Sequence, residues 1–158
     1  LIFAIGVGSG LFHLYATRTT LLADVLPILF FQISFLIIYS RVVIEASWRV
    51  TGMLLLGYVI LTFLAGTLPG DLFNGTLRYA PAFIFICLLG TYHFQEKKNG
   101  RPYLFMAAGV FLLSMTFRSI DQSVCASLPI GTHFLWHVLN AVVLYLCTYV
   151  VLINKNRA

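Results

Sequence analysis

The sequence predicts an all-α fold, a polytopic bundle of transmembrane helices with six spans, and three observations lead there. Of 158 residues, 60% are hydrophobic and only 9% are charged, where a soluble domain carries about 25%. Mean hydropathy is +0.94. The apolar residues form runs of roughly 17–25, the length that crosses a bilayer as a helix.

Each span is bounded by charge, glycine or proline. The first, 1–16, starts inside an apolar run and stops before Thr17 and Arg18. The second, 21–39, follows Thr19 and Thr20 and ends before Arg41. The third, 50–68, lies between Arg49 and the Pro69–Gly70–Asp71 break. The fourth, 77–94, ends at Glu96, Lys97 and Lys98. The fifth, 102–117, runs from Pro102 to just before Arg118. The sixth, 132–153, follows Gly131 and stops before Lys155. Connections are short, so neighbouring helices are antiparallel. Residues 1–158 form a single domain without linker, low-complexity tract or repeat. Residue 1 is not Met and is already inside an apolar run. A further helix upstream is therefore expected, giving seven spans and an outer N-terminus.

Basic residues orient the bundle. Arg41, Arg49, Lys97, Lys98, Arg101, Lys155 and Arg157 fall on one side, and Arg18, Arg78 and Arg118 on the other. The first side, with the C-terminus, is expected in the cytoplasm. The net charge of +5 then reflects topology and contact with anionic lipid, not nucleic-acid binding. Tyr39, Trp48, Tyr92 and Tyr103 near span ends read as interfacial belts.

Polar residues inside a membrane are costly and mark function. Of five acidic residues, only Asp24 lies within a span. A plain structural role is also open to it, bonded to Thr19 or Thr20 at its helix start. His133 and His137, in "THFLWHVLN", are four apart and share a helix face. That spacing suits two ligands on one metal, and equally two satisfied core histidines. His13 and Asp24 fall with them within roughly 8 Å of the same outer boundary. Ser9 precedes His13 by four residues on the same face; on its own, close helix packing is its simpler reading. His93 closes the fourth span about 20 Å away. It reads as interfacial and is left out of the group.

Three imidazoles, a carboxylate and a hydroxyl at one depth have the ingredients of a catalytic zinc site. Three neutral histidines leave a fourth zinc position for water, whose pKa falls to about 7. A carboxylate there serves as general base, and a hydroxyl steadies an oxyanion.

The motifs "SGLFH" (residues 9–13), Asp24 in "LLADVLP", and "GTHFLWHVLNA" near the C-terminus resemble the alkaline ceramidases. That family belongs to a wider group of seven-helix membrane hydrolases and adiponectin-type receptors. "RSIDQSVC" (118–125) resembles the segment before the last helix of the ceramidase branch. The resemblance implies a zinc-dependent amidase that cleaves ceramide, or a related membrane lipid, to a fatty acid and a sphingoid-type amine. It makes His13, His133 and His137 the zinc ligands, with Asp24 holding the zinc-bound water and Ser9 steadying the carbonyl. The acidic calcium-binding segment of some ceramidases has no counterpart here, so no calcium site is expected.

Two other readings stay open. One is an adiponectin-receptor or haemolysin-III-like protein with the same zinc site and a receptor or non-ceramide role. The other is a haem-binding bundle, disfavoured because the candidate ligands gather near one boundary. Cys87 and Cys147 read as packing residues. Cys125, in the outer connection, is positioned for a disulfide with an upstream partner. Arg118 and Asp121, three apart, read as a local ion pair.

Overall fold

The computed structural model describes residues 1–155, and among these it is helical with no strand. Arg157, counted above on the cytoplasmic side, lies outside the described residues. Six helices follow in order: α1 (Ile2–Tyr15), α2 (Arg18–Ile38), α3 (Trp48–Gly66), α4 (Ala80–Gln95), α5 (Tyr103–Val124) and α6 (His133–Asn154). A π-helical turn, Tyr39–Val43, continues α2, and a 3-10 segment, Leu72–Tyr79, leads into α4. Five helical segments are long and apolar enough to cross a membrane, so the chain is an all-α, multi-pass membrane protein. The sixth, α1, has 14 residues, about 21 Å of helix, and lies along α2. Successive helices are neighbours, and α6 closes toward α2 and its π turn.

The starts and joints of these helices have local causes. At the α2 N-terminus, Thr17 and Thr20 form a reciprocal capping box: Thr20 N–H donates to Thr17 Oγ1 at 3.2 Å, and Thr17 N–H to Thr20 Oγ1 at 3.0 Å. This commits Thr20 away from Asp24; among the described residues no hydrogen bond joins Asp24 to Thr19 or Thr20. Three residues further on, Pro27 lies inside α2. Lacking an N–H, it leaves the Ala23 carbonyl without its helical donor. Gly8 of α1 sits directly against that carbonyl, where any Cβ would collide with it. A small residue here lets the two backbones touch, which places Ser9 beside Asp24.

Helix α5 runs seven residues beyond the predicted end at 117. Charge at Arg118 ends the apolar run but not the helix. Arg118, Asp121 and Gln122 turn toward an internal cavity rather than into a loop.

The two ends of the bundle differ. Opposite Asp24 and His137 the packing is closed: Tyr39, Val43, His93, Leu104 and Val150 are fully buried. His93 is therefore not interfacial, and Tyr39 is not part of an aromatic belt. Tyr39 Oη lies 2.9 Å from His93 Nδ1 and 3.3 Å from the Leu89 carbonyl. His93 Nε2 lies 2.9 Å from the Asn99 carbonyl, which can only accept. Nε2 thus carries the proton, and Nδ1 accepts from Tyr39. Asn154 joins from α6, donating to the Asn99 carbonyl at 3.0 Å and accepting from Asn99 N–H at 3.1 Å. This knot ties α2, α4, the α4–α5 turn and α6 into a floor. Interface statistics place aromatic and histidine residues along the membrane normal; they do not say which way a side chain faces around its helix.

Candidate metal centre

Above that floor the helices part. A cavity of about 910 Å³ runs between α1 and α2 on one side and α4, α5 and α6 on the other. Its inner walls are apolar, including Phe35, Tyr58, Ile86, Leu89 and Cys147. Ser9, His13, Asp24, Arg118, His133 and His137 line its other end, and Gln32 and Asn140 are polar groups farther along its wall.

The three predicted histidines come together there. One nitrogen from each of His13, His133 and His137 lies within 4.8 Å of the other two. His13 is the third-last residue of α1, while His133 opens α6 and His137 follows one turn later. Ring centroids are 5.4 Å apart for His13–His133, 5.0 Å for His13–His137 and 4.8 Å for His133–His137. The Nε2 atoms of His13 and His137 face each other at 3.0 Å. Two ligands on a tetrahedral zinc, each at about 2.0–2.1 Å, stand roughly 3.3 Å apart. That pair is close to this spacing, and with the His133 nitrogen within 4.8 Å the three residues could hold a metal ion.

Ser9 has a partner that its sequence position does not reveal. Its Oγ lies 3.3 Å from His137 Nδ1. If His137 turns an unprotonated Nε2 toward a metal, Nδ1 must carry the proton and donate it to Ser9. The Ser9 proton is then free to point at Asp24 or at a bound carbonyl. Asp24 faces the same cavity, with Ser9, His13, His133 and Arg118 as its polar and charged neighbours. Shared depth brought all five candidate residues into one group, and the fold places them in one cavity.

Asp121 takes a different part from the ion pair expected with Arg118. Its Oδ1 accepts from Thr132 N–H at 2.6 Å and from His133 N–H at 2.9 Å. It therefore caps α6, satisfying donors that a helix start leaves free and holding the turn that carries His133. Thr132 adds a bond from its hydroxyl to the Phe117 carbonyl at 2.6 Å. Gly131 is required here twice over. Its φ is +65°, and a Cβ would lie 2.5 Å from Asp121 Oδ1. An acceptor twelve residues upstream of its helix is invisible to local capping rules, which look only at the adjoining residue.

Arg118 instead lies over two rings, 5.3 Å from the Tyr79 centroid and 5.2 Å from that of Trp136. Its carbonyl accepts from Asn74 Nδ2 at 3.0 Å. That contact pins a left-handed turn at Phe73, Asn74 and Gly75 against α5. All three cysteines are free. Cys147 is buried in the core, as expected of a packing residue, and Cys125 ends α5 with Sγ donating to the Asp121 carbonyl at 3.1 Å.

No protein-family model, curated protein or solved structure matches the chain. Fold and site together define a class: a multi-pass helical membrane protein with a three-histidine cluster and a carboxylate in one apolar cavity.

Proposed function

We propose that the protein is a zinc-dependent hydrolase of long-chain lipid amides, of the ceramidase type. The observation that carries this reading is the convergence of His13, His133 and His137 beside Asp24 in a largely apolar cavity. The resemblance of the Ser9–His13, Asp24 and His133–His137 motifs to the alkaline ceramidases supports the same assignment. His13, His133 and His137 would hold the zinc. A bound zinc ion supplies Lewis-acid polarisation of the carbonyl and a water acidic enough to ionise near neutral pH. Asp24 would accept a proton from the attacking water and return it to the leaving nitrogen, since an amide nitrogen leaves only when protonated. Ser9 keeps His137 in one tautomer and offers its own proton to the substrate carbonyl. With the imidazoles committed to the metal, Ser9 has no base to make it a nucleophile. The apolar walls below take the acyl chain.

The test is to purify the full chain in detergent and measure metal content beside fatty-acid release from a ceramide. Zinc at about one per chain, release abolished by a chelator and restored by zinc, is the expected result. Zinc without hydrolysis of any lipid amide favours the receptor-type alternative.

Two further outcomes follow. Asp121→Ala removes the α6 cap, so it should lower stability by about 1–2 kcal/mol. It should also weaken zinc binding, by up to the roughly 10–100-fold that outer neighbours of a metal contribute. Titration against a competing chelator reads the second effect. The other outcome concerns orientation. Arg41, Arg49, Lys97, Lys98, Arg101 and Lys155 lie at the closed end and Arg18, Arg78 and Arg118 at the site end. The closed end should therefore face the cytoplasm and the site the outer or lumenal side. A cysteine placed near Lys155 should resist an impermeant reagent in sealed cells; efficient labelling there inverts the topology.

A further inference from the structure

Among the described residues no carboxylate pairs with Arg118. Its Nε is buried and, among the same residues, has no hydrogen-bond partner. The guanidinium lies over the faces of Tyr79 and Trp136. The carboxylate three residues on, Asp121, is spent on the backbone of Thr132 and His133. Asp24 shares the cavity with Arg118, yet among the described residues no hydrogen bond joins the two. A charge held at membrane depth is stable only when it meets water or an opposite charge. Ring faces stabilise a guanidinium from above and below; they do not serve its in-plane donors, of which Nε–H is buried without a partner among the described residues.

The position of Arg118 suits a ligand. Trp136 lies between His133 and His137 on α6, so the ring that carries the guanidinium belongs to the same helical turns as two of the clustered histidines. Arg118 lines the same cavity as Asp24, His133 and His137, whose walls turn apolar toward Leu89 and Cys147. A ligand that places a planar anion against Arg118 can lay a hydrocarbon tail along those walls. The guanidinium fork matches a carboxylate with two parallel hydrogen bonds.

We propose that Arg118 is the binding group for the carboxylate of a long-chain fatty acid. The source of that acid, release from an amide at the neighbouring histidines, rests on the reading above; the binding itself does not. In that setting Arg118 receives the acyl product after the carbon–nitrogen bond has broken. A neutral amide gains little from it, so the site retains product more strongly than substrate.

The experiment measures equilibrium binding of radiolabelled palmitate and of palmitamide to the full chain in detergent micelles, at a pH well above that at which the acid ionises. Each is measured as purified and after chelator treatment, so that a carboxylate held by a metal is told apart from one held by Arg118. Palmitate should bind roughly 10–100-fold more tightly than palmitamide, and should keep that preference in chelated protein. Arg118→Gln should abolish the preference while leaving palmitamide binding unchanged, which also shows the cavity intact. Arg118→Lys keeps the charge but not the fork, and should retain part of the preference. Equal binding of the two lipids by chelated wild-type protein overturns the proposal, as does full preference in Arg118→Gln. Should Arg118→Gln fail to fold, the chelated wild-type comparison and Arg118→Lys still decide. A carboxylate preference in a protein that hydrolyses no amide supports the proposal and refutes the hydrolase reading. Hydrolysis without that preference does the reverse.

Discussion

Alanine at His13, His133 or His137 should strip zinc from the protein and abolish amide hydrolysis, whereas alanine at His93 should leave zinc content unchanged. The three clustered rings offer one nitrogen each within 4.8 Å. Three protein ligands are the minimum that holds a catalytic zinc firmly. Losing one should cost more than the roughly 10–100-fold that an outer neighbour contributes. His137 should be the most severe, because its ring meets both His13 and Ser9. His93 is the control because it is also buried and hydrogen-bonded, but at the closed end of the bundle. His93→Ala breaks the Tyr39–Asn99–Asn154 knot and should lower stability instead, by about 1–3 kcal/mol for the partners left unsatisfied. Metal analysis beside thermal unfolding separates the effects. Full zinc occupancy in His137→Ala would remove the metal assignment.

Asp24→Asn should keep zinc and the fold and lose most turnover. The change is isosteric and the site is lined by other polar groups, so packing is spared. What disappears is a base able to take a proton and give it back. General acid–base contributions of this kind are worth about 10²–10⁴-fold. Under the proposed scheme the loss should fall on kcat, with little change in lipid binding. Ser9→Ala belongs to the same experiment. As an oxyanion donor it should cost about 10²–10³-fold in turnover. The contact with His137 Nδ1 adds a second effect, weaker zinc binding at limiting free metal, which a donor to substrate alone would not produce. Near wild-type hydrolysis by Asp24→Asn, or an acyl group trapped on Ser9, would show that the roles are misassigned.

Much of this is legible in the sequence. Helical spans are written in composition and run length, because a bilayer demands that every backbone polar group be satisfied within its own segment. Depth is also written there. A rise of about 1.5 Å per residue turns distance from a span end into height in the membrane, which is why Ser9, His13, Asp24, His133 and His137 could be grouped from sequence. What run length misjudged was the end of α5, since it measures apolarity and Arg118, Asp121 and Gln122 continue a helix while facing a cavity.

Rotation about each helix axis and contacts between distant segments came only with the tertiary structure. Amphipathic patterning normally reports which face is inward by contrasting apolar with polar positions. In a bundle whose outer surface also meets lipid, both faces are apolar and the contrast vanishes. Hence His93 and Tyr39, placed at the correct end by sequence, proved to be fully buried and bonded to each other. Long-range pairings are hidden for a different reason: they depend on which segments the fold brings together. Gly8 against the carbonyl freed by Pro27, Asp121 as the cap of the helix carrying His133, and Ser9 on His137 across 128 residues of chain are all of this kind. The sequence determined a membrane bundle and the height of its polar residues, because the bilayer constrains length and burial one segment at a time. Only the tertiary structure decided which polar groups touch, because that depends on the relative rotation and closure of helices far apart in the chain.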